Sequence, residues 1–255
     1  METRKKLKIF FIVLLSLTLA AVITNFVSFV SPFWIQSTSS SNGQFQRIGL
    51  WTACFNGYMR PDDFNKAYFG CYYIYFVEYD RIRDWINPVW LYCIQVLSSI
   101  GMLLHSLVAF VVLCQQTKSI NRDDISATKF ILFGHFFTCI TIAASLVAFA
   151  VARYDSRWMP YPSTNVLSWS YGVAALSFVL TLLSFIVGFI RYLYLDEIAK
   201  YMEQALLENE AQNDEHTKML DSGIPVREPD YPQYINQDDA LSEHTEPDEN
   251  VDSWR

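Results

Sequence analysis

The 255-residue chain is poor in charge and histidine, with 18% Asp, Glu, Lys or Arg and four histidines in all. Soluble domains carry roughly 25% charged residues. There is no CxxC, no HxxxH and no zinc-like spacing, so no metal site is expected. No glycine-rich phosphate loop and no Asn-x-Ser/Thr sequon occurs. No hydroxyl or thiol has a histidine placed to activate it: His105 and His135 sit in apolar runs, His216 and His244 in an acidic tail. We therefore expect no enzyme, no cofactor and no nucleic-acid partner.

What the chain has is hydrophobic sequence, at 52% of residues, segregated from its charge. From Asp196 to Arg255 there are 17 acidic and 4 basic residues; the remainder has 9 acidic and 15 basic. A basic apolar body and an acidic tail are physically separate objects. Four runs are long enough to cross ~30 Å of hydrocarbon, which takes about 20 apolar residues. They are residues 9–30, 89–114, 130–152 and 169–190. With no water to satisfy the backbone in lipid, such runs must be helical. The first run resembles a signal peptide in its basic start, but it is longer than a ~7–15-residue signal core, so it reads as an uncleaved span.

The basic cluster Arg4, Lys5, Lys6 and Lys8 puts the N-terminus in the cytoplasm, and four spans return the C-terminus there. The expected order is a short inner N-terminus (1–8), an outer loop (31–88), an inner loop (115–129), a second outer loop (153–168) and an inner tail (191–255). The tail is expected to be helical to about Ala211 and disordered beyond Asn213.

The first outer loop is too long for a plain connector. Residues 44–48 alternate and residues 72–77 are aromatic and β-branched, so both read as strands. Asn56-Gly57 and Pro61-Asp62-Asp63 read as turns. Cys54 and Cys71 lie in this loop. A bridge between them would close about 17 residues and contribute ~3 kcal/mol through chain entropy. Free or intermolecular thiols are the alternative.

Trp34, then Gly49-Leu50-Trp51, then Cys54 and Cys71 resemble the W…GLW…C…C signature of claudins and their relatives. These include the epithelial and peripheral myelin membrane proteins, calcium-channel gamma subunits and AMPA-receptor regulatory proteins. Arg81 and Arg83 resemble the family's arginine before span two, and Trp169-Ser-Tyr-Gly172 its opening of span four. The resemblance implies a left-handed four-helix bundle carrying a small extracellular antiparallel sheet. It also implies that Trp34, Leu50 and Trp51 seat that sheet on the helix ends.

It further implies a plasma-membrane protein at cell–cell junctions, self-associating within and between membranes through its outer loops to form a paracellular barrier. An auxiliary subunit of an ion channel or receptor is the second reading, and a trafficking tetraspan the third. Arg60, Asp62, Asp63 and Lys66 are the charges placed to influence ions, and their signs nearly cancel. Arg153, Tyr154, Arg157, Trp158, Met159 and Tyr161 in the second outer loop are the expected partner contacts, with headgroup contact as the alternative. His105 and His135 are expected to be neutral imidazoles bonded between helices. The terminal Asp252-Ser-Trp-Arg255 is not the hydrophobic end that claudins present to PDZ scaffolds.

Overall fold

Among the described residues, four helices are long and apolar enough to cross a membrane, and they carry a five-stranded antiparallel sheet at one end. The structure, a computed structural model, describes residues 2–38, 44–60, 63–159 and 162–221. The chain divides into two units, Met1–Lys200 and Tyr201–Arg255.

The spanning helices are α1 (Glu2–Val30), α3 (Val89–Gln116), α4 (Ile125–Ala152) and α5 (Trp169–Asp221); α2 (Arg83–Ile86) is a single turn before α3. The starts of α3 and α4 each have a chemical cause. Pro88 precedes α3 in extended conformation, as a residue without an N–H does at a helix start. Asp124 caps α4 by accepting from Ser126 N at 2.9 Å. Between them Lys118 takes a left-handed φ of 61°.

Small residues bring α3 and α4 together. A Cβ on Gly101 would meet Thr141, and one on Gly134 would meet Val108. Ser98 and Ser145 share a 2.8 Å hydroxyl pair across the same interface. Gly172, by contrast, has open space beside it.

The sheet runs β4-β3-β2-β1-β5. Its strands are β1 (Ile35–Ser37), β2 (Phe45–Ile48), β3 (Thr52–Arg60), β4 (Asp63–Tyr73) and β5 (Asn165–Leu167). β5 comes from the α4–α5 loop and pairs with β1, so both long loops join one sheet. The buried face of the sheet forms a core with the helix ends, including Trp34, Ile48, Leu50, Phe55 and Phe149.

Three expectations change. Asn56-Gly57 is no turn: β3 continues through it, with a register shift between Asn56 and Tyr58 and a φ of 76° at Gly57. That is a bulge, in which glycine supplies the left-handed residue. The strand expected over 72–77 ends at Tyr73. Arg83 gathers the carbonyls of Ile74, Tyr75 and Phe76 at 3.3–3.5 Å, folding the chain into a turn instead. The helix of the second unit runs past Asn213 to Asp221, through residues such as Glu, Ala, Gln, Lys and Leu with high helix propensity. The turn expected at Pro61-Asp62 and the tail tyrosines, serine and threonine fall outside the described residues.

Gly49 is where the sheet comes closest to the chain leaving α1. A Cβ there would collide with Ser31 O and lie 2.8 Å from Pro32 Cα, both rigid backbone. Gly49→Ala should destabilise by about 1–3 kcal/mol, read as a lowered thermal midpoint in detergent. Gly172→Ala, in open helix, should leave the midpoint unchanged.

Candidate functional site: the sheet and the helix ends

Each apolar span is bordered, on the side away from the sheet, by a charged or amide residue: Lys8, Gln115, Lys129 and, within the long α5, Arg191. Counting about 20 residues toward the sheet, ~30 Å of helix, reaches Phe29, Gln95, Phe149 and Tyr171. These four residues touch the base of the sheet. The seat of the sheet therefore lies about one hydrocarbon thickness, ~30 Å, from those polar residues.

Trp34 fills the centre of this seat. It is 2% exposed, its ring centroid lies 4.6 Å from Phe149 and 6.1 Å from Tyr171, and its Nε1 donates to Ser28 O at 2.9 Å. Leu50 is buried beside it. Trp51 packs edge-on against Phe29 at 5.4 Å and stacks on Tyr73 at 6.0 Å.

Gln95, buried in α3, ties the sheet to the bundle in two directions. Its Nε2 donates to Leu50 O at 2.6 Å, and its Oε1 accepts from the Tyr75 hydroxyl at 2.5 Å. Asn87 Nδ2 donates to the same hydroxyl at 2.9 Å. Burial pushes the Tyr75 hydroxyl pKa above its ordinary value, and the bond from Asn87 opposes that rise. In the sequence Gln95 stands out only as a neutral amide within span two. Its signal was that a neutral amide so near the span's outer end can satisfy a loop carbonyl that would otherwise be buried unpaired.

Cys54 and Cys71 are directly opposed in the β3–β4 register and form a disulfide. Tyr79 lies under these strands and donates to Ala53 O at 2.9 Å and Gly70 O at 3.3 Å. Arg83 pairs with Asp80 at 3.1 Å besides its three carbonyls. The Arg81 carbonyl accepts from Arg60 Nη1 at 3.1 Å. Lys66 pairs with Glu78 at 2.9 Å and faces the Tyr68 ring. Of the charges expected to act on ions, Arg60 and Lys66 are thus engaged within the domain. Asp63 pairs with Arg60 in strand register, and Asp62 lies outside the described residues.

The second loop divides by burial. Trp158 and Met159 are 4% and 2% exposed. Trp158 Nε1 donates to Ile86 O at 3.0 Å, and its ring meets Trp90 at 4.7 Å. These two belong to the core, which corrects the expectation that they form a contact surface: an aromatic and a thioether in a short loop found an apolar floor to cover. Tyr154 is exposed, with Arg153 stacked over its ring at 4.3 Å. Arg157 projects outward and pairs with Asp155 at 3.2 Å, which holds that carboxyl below its ordinary pKa. Tyr161 lies outside the described residues.

His105 and His135 approach to 5.9 Å between ring centroids. Ile131 O can only accept, so His135 donates to it through Nδ1 at 2.9 Å and accepts at Nε2 from Thr18, 3.2 Å away. Asn25 Nδ2 donates to His105 Nδ1 at 3.2 Å. Both rings therefore bond to α1. Among the described residues no three His, Cys, Asp or Glu converge as metal ligands.

Two measurements follow from this geometry. Gln95→Leu leaves Leu50 O without its donor and the Tyr75 hydroxyl without an acceptor. It should cost about 1–3 kcal/mol, seen as a lowered thermal midpoint. Tyr79 has its hydroxyl pKa raised from 10.0, chiefly by burial. An unfolded tyrosine ionises first, so stability is full below pH about 10 and falls as pH rises beyond it. Tyr79→Phe should be less stable at neutral pH and lose less stability than wild type between pH 10 and 11 in denaturant titrations.

A sequence model described as PMP-22/EMP/MP20/Claudin tight junction matches residues 19–187. The match begins within α1 and ends within α5, taking in the whole sheet. No curated protein matches the chain.

Proposed function

The chain belongs to the PMP-22/EMP/MP20/claudin family, and on that premise we propose that it is a junction protein whose outer sheet assembles with its own kind to seal the space between cells. The observation that carries this reading is the joining of both long loops in one disulfide-tied sheet seated on four spans. Such a sheet presents a fixed surface instead of two independent loops, which lowers the ordering cost of repeated assembly.

In this reading the sheet faces the cell exterior, where a disulfide persists, and both termini face the cytoplasm. Lys66 neutralised by Glu78 and Arg60 drawn onto a carbonyl favour a barrier over a strongly charge-selective pore. Tyr154 and Arg157 are the second loop's outward contacts, and the protein is non-enzymatic.

The test is expression of the tagged full chain in cells that form no junctions. Strand-like enrichment where two expressing cells meet is expected. Diffuse surface signal with a co-purifying channel would support an auxiliary subunit, and vesicular signal a trafficking tetraspan; either result contradicts the junction role.

A further inference from the structure

From Ala67 to Val77 the chain carries no charged residue, although it follows a charged hairpin and precedes Glu78. Its second half is rich in exposed rings: Tyr72, Tyr73, Tyr75 and Phe76 are 37–50% exposed, and Val77 is 74% exposed. The stretch includes the end of β4, an edge strand of the sheet. Water is a poor environment for so much exposed apolar surface, and exposed apolar residues gathered in one segment mark an interaction site.

The position of the segment identifies the partner. The Tyr75 hydroxyl bonds to Gln95, about six residues or ~9 Å inside the start of α3. Tyr73 stacks on Trp51, which packs on Phe29 at the end of α1. Phe29 and Gln95 are two of the four residues that lie about one hydrocarbon thickness, ~30 Å, from the polar residues at the other end of the spans. Exposed Val30 on α1 and exposed Tyr92 on α3 lie on the sheet side of these anchors, and exposed Phe26 and Val96 lie one turn or less below them. Tyrosine and tryptophan, which put an apolar ring and a polar tip at the headgroup level, are the residues enriched at that depth.

We propose that residues 72–77 form a membrane-contact foot, with the rings of Tyr72, Tyr73, Tyr75 and Phe76 and the Val77 side chain resting among lipid headgroups and upper acyl chains of the leaflet on the sheet side. The mount is rigid: Gln95 and Asn87 hold the Tyr75 hydroxyl, and Arg83 holds three successive carbonyls. The foot fixes the tilt of the sheet against the membrane plane, which sets the direction in which its far edge can meet anything else. This inference rests on the four spans alone. It holds whether or not the protein forms junctions, and whichever compartment the sheet faces.

The experiment uses the full chain in phosphatidylcholine vesicles, with Cys93, Cys114 and Cys139 changed to Ser and one spin label introduced at Phe76→Cys or Val77→Cys. Leu103→Cys, exposed in mid-span, is the hydrocarbon control, and Met59→Cys, far along β3, the water control. Collision with oxygen and with a water-soluble nickel chelate is measured at high and at very low protein density. Nickel access at 76 and 77 is expected to be several-fold below that at 59, at both densities. Nickel access equal to that at 59 overturns the proposal. Shielding that appears only at high density, with dipolar broadening between labels, assigns the surface to a second copy and also overturns it. A second variant, Val77→Trp in the chain with its native cysteines, guards against misfolding caused by the three serine replacements. Its added fluorescence should be quenched by lipid brominated near the headgroup; quenching by aqueous iodide instead overturns the proposal.

Discussion

Gln95 sits where two incompatible solvents meet, and the rest of the structure depends on what it does there. The turn around Gly49-Leu50-Trp51 must lie against the bundle to bury Leu50 and Trp34, yet doing so removes a backbone carbonyl from water. A buried carbonyl left unpaired costs about 1–3 kcal/mol, comparable with much of a small domain's margin of stability. The amide of Gln95 answers that carbonyl at 2.6 Å and holds Tyr75 with its other end. A charged residue at this depth would itself need compensation, and an apolar one would satisfy nothing. A neutral donor-acceptor is the chemistry the position requires.

Around this tie the aromatic residues act as fillers of defined shape. Trp34 occupies the gap above Phe149 and Tyr171, and Gly49 lets the turn approach Ser31 and Pro32 with no side chain between. The disulfide works at a different level. It joins β3 to β4 in direct register and stabilises the hairpin. Seating and cross-linking are thus separable, and the first fixes the orientation of the sheet relative to the membrane.

Much of this was legible in the residues. Spans announce themselves because lipid tolerates so few alternatives, and the Trp34, Gly49, Leu50 and Trp51 pattern encodes a close approach that few sequences can make. What escaped was non-local. Asn56-Gly57 has turn chemistry, but a left-handed glycine serves a bulge equally well, and the partner strand decides between them. Trp158 and Met159 looked exposed because a short loop gives no sign of the floor beneath it. β5 is three residues long and exists because β1 offers it an edge. Gln95 was visible only as an exception within an apolar run, and its purpose appears once the Leu50 carbonyl is placed above it.

The most direct measurement is amide hydrogen exchange on the full chain in vesicles, with Cys54–Cys71 intact and then reduced. If the sheet is seated by Gln95 and Trp34, the amides of Gly49, donating to Thr52 O, and Ile74, donating to Trp51 O, will exchange slowly in both states. Reduction will then speed exchange mainly in the β3–β4 hairpin. Fast exchange at Gly49 and Ile74 with the disulfide intact, while the helices stay protected, would contradict the account.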